Sequence, residues 1–189
     1  MLEAINSLDK DIFLFLNHQH NAVFDFLMYW VSNKWIWIPF YAFLALLLYK
    51  AFPDRFFFIL VFIALAIALS DQVSSTLIKN WVMRLRPCHD PSILADVHLV
   101  NGYCGGTYGF VSSHASSAFT FFSFLYFVLG DKFKKLKWII LGWAILVAYS
   151  RIYLGAHFPG DVIGGALLGF MLGFITWKAY TITIEKYFK

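Results

Sequence analysis

Charge is what this sequence has least of. Only 14% of its 189 residues are Asp, Glu, Lys or Arg, against 60% hydrophobic and 21% aromatic residues. That is too little polar surface to coat a water-soluble domain of this size, so the chain is read as an integral membrane protein. Repeats of fixed period and low-complexity tracts are absent, which leaves a single domain over residues 1–189 as the economical organisation. No cationic stretch or small-residue cleavage site opens the chain, so a removable signal peptide is not expected. Neither an HExxH motif nor a carboxylate-rich constellation occurs, which argues against a metal centre. The net charge of +4 implies no nucleic-acid partner, because membrane topology accounts for most of the basic residues.

What the sequence has instead is a series of apolar runs that approach or exceed the roughly 20 residues of a membrane-crossing helix. Five spans are expected, at about 35–49, 56–78, 112–129, 138–151 and 160–180. Before them, SLDKDIFLFLN (residues 7–17) places apolar side chains largely on one helical face but is too short to cross, so it is expected to lie in the interface. The turn NHQHN and a second short helix over 22–32 follow, with Asp25 opposing deep insertion. Residues 84–111, rich in Gly, Pro, Asp and His, form a long non-spanning loop. The expected fold class is all-α: a multi-pass membrane bundle of about five spans with N-terminal interfacial helices in residues 1–33.

Five spans put the 50–55 loop, the 131–137 loop and the C-terminus on one side, with nine of the fifteen Lys and Arg. That side is expected to be cytoplasmic, and the 84–111 loop to face outward from the inner membrane. Cys88 and Cys104 both fall in this outward loop, where an oxidising compartment favours a disulfide. Two unrelated buried thiols are the plainer alternative.

Three clusters interrupt the apolar pattern. In KNWVMRLRP, Lys79 and Arg86 are two helical turns apart and share a face if the helix continues. Basic residues at a helix end also serve as ordinary snorkelling anchors. In VSSHASSAF, Ser112, Ser113 and His114 open a span, where hydroxyls and free N–H groups suit an anion or a simple N-cap. In SRIYLGAHFPGD, His157 and Asp161 are four apart across Pro159, a helix starter, and Arg151 ends the preceding span. A carboxylate on one imidazole nitrogen frees the other as nucleophile or base, although a structural salt bridge would use the same pair. Five-span parity places all three clusters on one membrane face. Several fixed cations with helix N-terminal amides suit a tetrahedral oxyanion, and a His–Asp pair suits attack on it. Arg84 lies off the Lys79–Arg86 face and is read as a contact to a second phosphate or lipid headgroup, or as a surface anchor. Asp71 is too far from Lys79 for direct phosphate contact and is expected to be a buried polar contact between helices. His89 and His98 have no expected partner.

The ordered set KxxxxxxRP (Lys79–Pro87), a PSGH-like element (Ser112–His114) and SRxxxxxHxxxD (Ser150–Asp161) resembles the type 2 phosphatidic acid phosphatase (PAP2) superfamily over roughly residues 56–180. That family shares a helical core with vanadium-dependent haloperoxidases. The resemblance implies that His157 attacks phosphorus, that Asp161 orients it, and that His114 protonates the leaving oxygen and then activates water. Lys79, Arg86, Arg151, Ser112 and the backbone N–H of Ser113 would hold the phosphoryl oxygens, with no metal or other cofactor. Val111 and Ser113 stand where the family pattern has Pro and Gly. LNHQHNAVFDF (residues 16–26) further resembles short bacterial members that hydrolyse undecaprenyl diphosphate. Undecaprenyl diphosphate is therefore the expected substrate, met in the bilayer. Phosphatidylglycerophosphate, phosphatidic acid and lipid A phosphates are the alternatives, as is phosphoryl transfer to an acceptor on the same core. No protein partner is implied. A non-enzymatic anion transporter would need charges along a path between spans, and the inner halves of the spans are nearly charge-free.

Overall fold

Helices make up nearly all regular structure in the computed structural model, which describes residues 2–187. In order they are α1 (Leu2–Asn17), α2 (Ala22–Ser32), α3 (Ile38–Ala51) and α4 (Phe56–Asp71). A π-helical stretch, Gln72–Ile78, carries α4 on into α5 (Lys79–Val82). Then come α6 (Ser113–Leu129), α7 (Lys134–Tyr153) and α8 (Pro159–Tyr187). The starts follow local chemistry. Asn21 caps α2 by accepting from the N–H groups of Val23 and Phe24. Pro39 sits in the first turn of α3 and Pro159 opens α8, where a missing N–H costs least. Residues 84–111 hold only short 3-10 turns and one antiparallel bridge, Leu85 to Tyr108.

Large apolar side chains face outward along the bundle, among them Phe57 (71% exposed), Trp138 (72%) and Leu167 (69%). Such a surface needs lipid around it. Among the described residues, three helical stretches are long and apolar enough to cross a bilayer: Pro53–Val82, Lys134–Tyr153 and Pro159–Tyr187. Ala22–Ser32 and Lys34–Ala51, bent by 71° at the break, make a fourth if they act as one span. Five spans are expected from the sequence; by length and apolarity the described helices supply three, or four with that bent pair, and α6 falls short of that measure. The reason lies in α6, which is 17 residues long and begins SHASS. Nine of its residues are buried by other helices, so it does not need a fully apolar face.

α6 is the centre of the bundle, and α8 packs on it at backbone distance. A Cβ added at Gly165 or Gly173 would lie 2.5 Å from the carbonyl oxygen of Ser112 or Thr120. At Gly169 it would run into the carbonyl of Ser116. Three glycines at four-residue spacing thus give α8 a smooth face on α6, the small-residue device of membrane helix pairs. On the other flank, the hydroxyls of Ser70 (α4) and Ser116 (α6) share a 2.7 Å hydrogen bond. These contacts fix the N-terminal ends of α6 and α8 side by side.

Candidate active site

The turn from α7 to α8, Leu154–Phe158, carries His157. The carbonyl of Arg151 accepts from the N–H groups of both Ala156 (3.0 Å) and His157 (3.2 Å), which folds the turn tightly. Gly155 has φ of +73°, and a Cβ there would come within 2.8 Å of the His98 carbonyl oxygen, so glycine is required. His157 is 1% exposed. Burial, and then the charges of Arg86, Arg151 and Lys79, hold its imidazole well below the ordinary value. It is therefore neutral at physiological pH, the form that can act as nucleophile.

Asp161, fully buried in the first turn of α8, is pinned from two sides. Oδ2 accepts from the Phe158 N–H at 3.0 Å, and Oδ1 accepts from Arg84 Nη1 at 2.8 Å. His157 Nδ1 lies 3.5 Å from Oδ2, within ion-pair range but long for a hydrogen bond. The structure gives Arg84 partners that the headgroup reading does not anticipate. Its Nη2 donates to Asp9 Oδ2 (2.7 Å) and Asn6 Oδ1 (3.1 Å), and its guanidinium carbon sits 4.3 Å from the Phe158 ring centroid. Asp9 Oδ1 in turn accepts from the Gly160 N–H at 2.8 Å. Helix α1 thus caps α8 and braces the carboxylate beside His157.

The condition for Lys79 and Arg86 to share a helical face, a helix continuing between them, is not met. α5 stops at Val82, Met83 takes a left-handed conformation (φ +50°), and the chain turns away. Arg86 instead arrives on an extended segment whose N–H donates to the Thr107 carbonyl at 3.1 Å. Its Nε and Nη1 donate to the carbonyls of Tyr108 and Cys104, each at 3.1 Å. Opposite, Gly109 leaves room for Asp161, since a Cβ there would lie 2.7 Å from Oδ2. Arg151 is 4% exposed and donates through Nη1 to the hydroxyl of Ser32. Lys79, Arg86 and Arg151 all act electrostatically on His157.

The N-terminus of α6 completes the ring. Ser112 is its N-cap, and the Ser112 N–H donates to the Asp161 carbonyl at 3.0 Å. Arg151 Nε, Ser113 Oγ and His157 Nδ1 are buried polar atoms with no hydrogen-bond partner among the described residues. Cations, helix N-terminal amides and spare polar atoms around a neutral histidine can hold a tetrahedral oxyanion for attack. A divalent cation would be repelled here. The side-chain groups whose spacing could bridge a metal, His20–Asp25–His98 and Cys88–His89–Cys104, lie outside this ring. His98, expected to lack a partner, meets Asp25 Oδ1 at 3.0 Å and stacks on His20. The Cα atoms of Cys88 and Cys104 are 6.1 Å apart, a distance a disulfide can span.

His114, the second residue of α6, faces a cavity of 610 Å³ between α3, α4, α6 and α7. Its walls are mainly apolar, with Leu44, Ile63, Phe121 and Trp143 among them. Asp71 lines the same cavity and is exposed to it, so the expectation of a buried contact between helices is corrected. Sequence reasoning missed Asp9, Asn17, Ser32 and Gly109. Asn17, fully buried, donates to the carbonyls of Tyr153 (2.8 Å) and His98 (3.1 Å), tying α1 to the end of α7. Its position in LNHQHN, after an apolar run, was the one available signal.

The sequence profile of the PAP2 superfamily matches residues 56–184, which include every motif residue of the ring. This chain belongs to the PAP2 superfamily. It is a membrane-embedded enzyme of a metal-independent phosphatase class, acting on a lipid substrate. Among curated relatives it is 36% identical to a lipid A 4'-phosphatase of Porphyromonas gingivalis over 95% of this chain and 75% of that protein. It is 37% identical to the lipid A 4'-phosphatase of Bacteroides thetaiotaomicron over 96% of this chain and 80% of that one. Among solved structures, Aquifex aeolicus LpxE superposes with a TM-score of 0.65 at 26% identity, covering 90% of this chain and 95% of that one. The PAP2-type phosphatidylglycerolphosphate phosphatase of Bacillus subtilis shares the fold, with a TM-score of 0.68 at 23% identity over 98% and 90% of the two chains.

Proposed function

We propose that this PAP2 enzyme hydrolyses the phosphate monoester of a lipid A-type glycolipid at the outer face of the inner membrane. The observation that carries the substrate is near-complete coverage by two lipid A 4'-phosphatases, each above 35% identity. This favours an alternative over undecaprenyl diphosphate, the substrate first expected. In this reading α6 and the bent α2–α3 pair complete five spans, and the basic 131–137 loop lies in the cytoplasm. The lipid tails occupy the apolar cavity while the phosphate rises to the ring above it.

His157, through the nitrogen away from Asp161, attacks phosphorus as the P–O bond to the sugar breaks. His114, carried into its imidazolium form by a proton taken up with the phosphate dianion, gives that proton to the leaving sugar oxygen. Water then loses a proton to His114 and attacks phosphorus, breaking the P–N bond and releasing inorganic phosphate. Lys79, Arg86, Arg151, Ser112 and the Ser113 N–H hold the equatorial oxygens, where charge grows. Asp161 fixes the orientation of His157. Cys88 and Cys104 close a disulfide that steadies the Cys104 carbonyl on Arg86.

The test is phosphate release from lipid A by purified protein in detergent with a chelator present. Wild type should release one phosphate per lipid and His157→Ala none. Turnover by His157→Ala at the wild-type rate would end the reading. A second substrate, a polyprenyl diphosphate, is favoured by 29% identity to an undecaprenyl-diphosphatase of Sulfolobus acidocaldarius over 88% of this chain. It is the comparison lipid in the same assay.

A further inference from the structure

The catalytic ring does not use Asp71, yet its place is unusual. It is the last residue of α4, where the π-helical stretch begins, and it stands at the wall of the apolar cavity. Its side chain makes no hydrogen bond among the described residues, and only its backbone carbonyl is engaged, by the hydroxyls of Ser74 and Ser75. An unpaired carboxylate at membrane depth is costly and marks function rather than packing. Two further groups sit beside it. The Ser70–Ser116 hydrogen bond holds this turn of α4 against the first turns of α6, where Ser113 and Ser117 line the same cavity. Ser113 Oγ is a buried polar atom without a partner. π-helical segments place side chains in this way at functional sites.

Depth decides what these groups meet. Asp71 is eight residues before Lys79, at most about 12 Å further into the bilayer, the α-helical rise being an upper bound over a π-helical stretch. It is still close enough for its charge to act on Lys79. A lipid with its phosphate in the ring therefore presents to Asp71 whatever lies one headgroup below the phosphate. A carboxylate can only accept, so its partner must donate. In a polyprenyl diphosphate that level is hydrocarbon, and in a diacylglycerol phosphate it is ester carbonyls, which only accept. An acylated aminosugar phosphate places amide N–H and hydroxyl donors there.

We propose that Asp71, with Ser113 and Ser117, is a specificity site that accepts hydrogen bonds from amide and hydroxyl groups below the phosphate, selecting amide-linked lipids over ester-linked and prenyl lipids. This rests on the lipid-phosphatase reading but not on lipid A itself. The test measures kcat/KM for lipid A, ceramide 1-phosphate, phosphatidic acid and undecaprenyl diphosphate in mixed micelles, with wild type, Asp71→Asn and Asp71→Leu. Ceramide 1-phosphate and phosphatidic acid isolate the donors, since the first has an amide N–H and a hydroxyl below its phosphate and the second has neither.

For Asp71→Leu, the ratio of ceramide 1-phosphate to phosphatidic acid turnover should fall about 10- to 100-fold, the loss of a hydrogen bond to a charged group. Undecaprenyl diphosphate turnover should rise, and Asp71→Asn, which keeps one acceptor, should fall between. An unchanged ratio, or equal losses on all four lipids, overturns the proposal and leaves the lipid A reading standing. Wild-type turnover of ceramide 1-phosphate without lipid A removes lipid A and leaves Asp71 to be judged on the ratio.

Discussion

Replacing Arg84 with Met separates a brace from a headgroup contact. The substitution keeps much of the side-chain volume against Phe158 but removes both charge-assisted bonds, 2.8 Å to Asp161 and 2.7 Å to Asp9. Asp161 has no exposure to water, whereas the Arg84 side chain is 22% exposed and that of Asp9 13%. Breaking a buried pair from one side costs about 3–5 kcal/mol. Partial exposure of Arg84 and the surviving bond from the Phe158 N–H bring this toward about 3 kcal/mol. With Oδ1 released, Asp161 can rotate away from His157, and a displacement of about 1 Å at a reacting group can cost on the order of 100-fold in rate. The expected outcome is a lower melting temperature in detergent and a large fall in kcat with KM little changed. Combined with Asp161→Asn, the Arg84→Met change should add almost nothing to the loss in kcat, because both act through one carboxylate. A rise in KM with kcat intact would refute the reasoning and restore Arg84 as a headgroup contact.

Gly169→Ala should destabilise the protein by roughly 1–3 kcal/mol, the cost of overpacking, because its methyl meets the Ser116 carbonyl and pushes α8 from α6. Gly142→Ala, with open space around it, is the control in the same melt. His114→Ala should slow lipid hydrolysis by roughly 10²- to 10⁴-fold. With an aryl phosphate, whose leaving group needs no acid, it should accumulate an acid-labile phosphoenzyme, and absence of that species would remove His114 from the water-activating step. The depressed value of His157 also has a sign. Below about pH 6.5 the unfolded chain binds a proton that the folded chain refuses, so stability falls as pH drops, by up to about 1.4 kcal/mol per unit. Melts between pH 5 and 7 should show this slope in wild type and a shallower one in His157→Gln.

The membrane class and the family were legible because each depends on patterns local in sequence: apolar runs, and three motifs with fixed inner spacing. The number of spans was less so, because the sequence pattern counted the short run that forms α6 as a crossing, whereas length and apolarity alone give three or four crossing helices. Nine of the 17 residues of α6 are buried by other helices, so its polar first turn and short length carry little penalty there. Whether a helix joins Lys79 to Arg86 was left open by the sequence, because Met83, a left-handed residue with no glycine signal, ends α5 and turns the chain. Arg84 looked free because its partners, Asp9 and Asp161, lie 75 and 77 residues away. No helical-wheel argument spans that separation. The same distance hid Asn17, whose contacts reach residues 98 and 153.

On the proposed mechanism and specificity site, Asp161 and Asp71 take different tasks in this fold. Both are carboxylates in helices long and apolar enough to cross the membrane, yet one is saturated with hydrogen-bond partners and the side chain of the other has none among the described residues. Asp161 accepts from Arg84 and from a backbone N–H, and glycine at 109 preserves the space beside it. A group so constrained can orient a nucleophile but cannot adapt to different lipids. Asp71 faces the cavity where the α4 backbone shifts to π-helical bonding, and its unspent acceptors give it no preference until a lipid supplies donors. Selection placed on the saturated group would disturb the chemistry with every change of substrate. Placed eight residues before Lys79 on the same helical stretch, it can change while the phosphate ring stays as it is. Relatives with the same ring and different lipids should therefore differ at the cavity wall, and exchanging Asp71 should move preference without abolishing phosphoryl transfer.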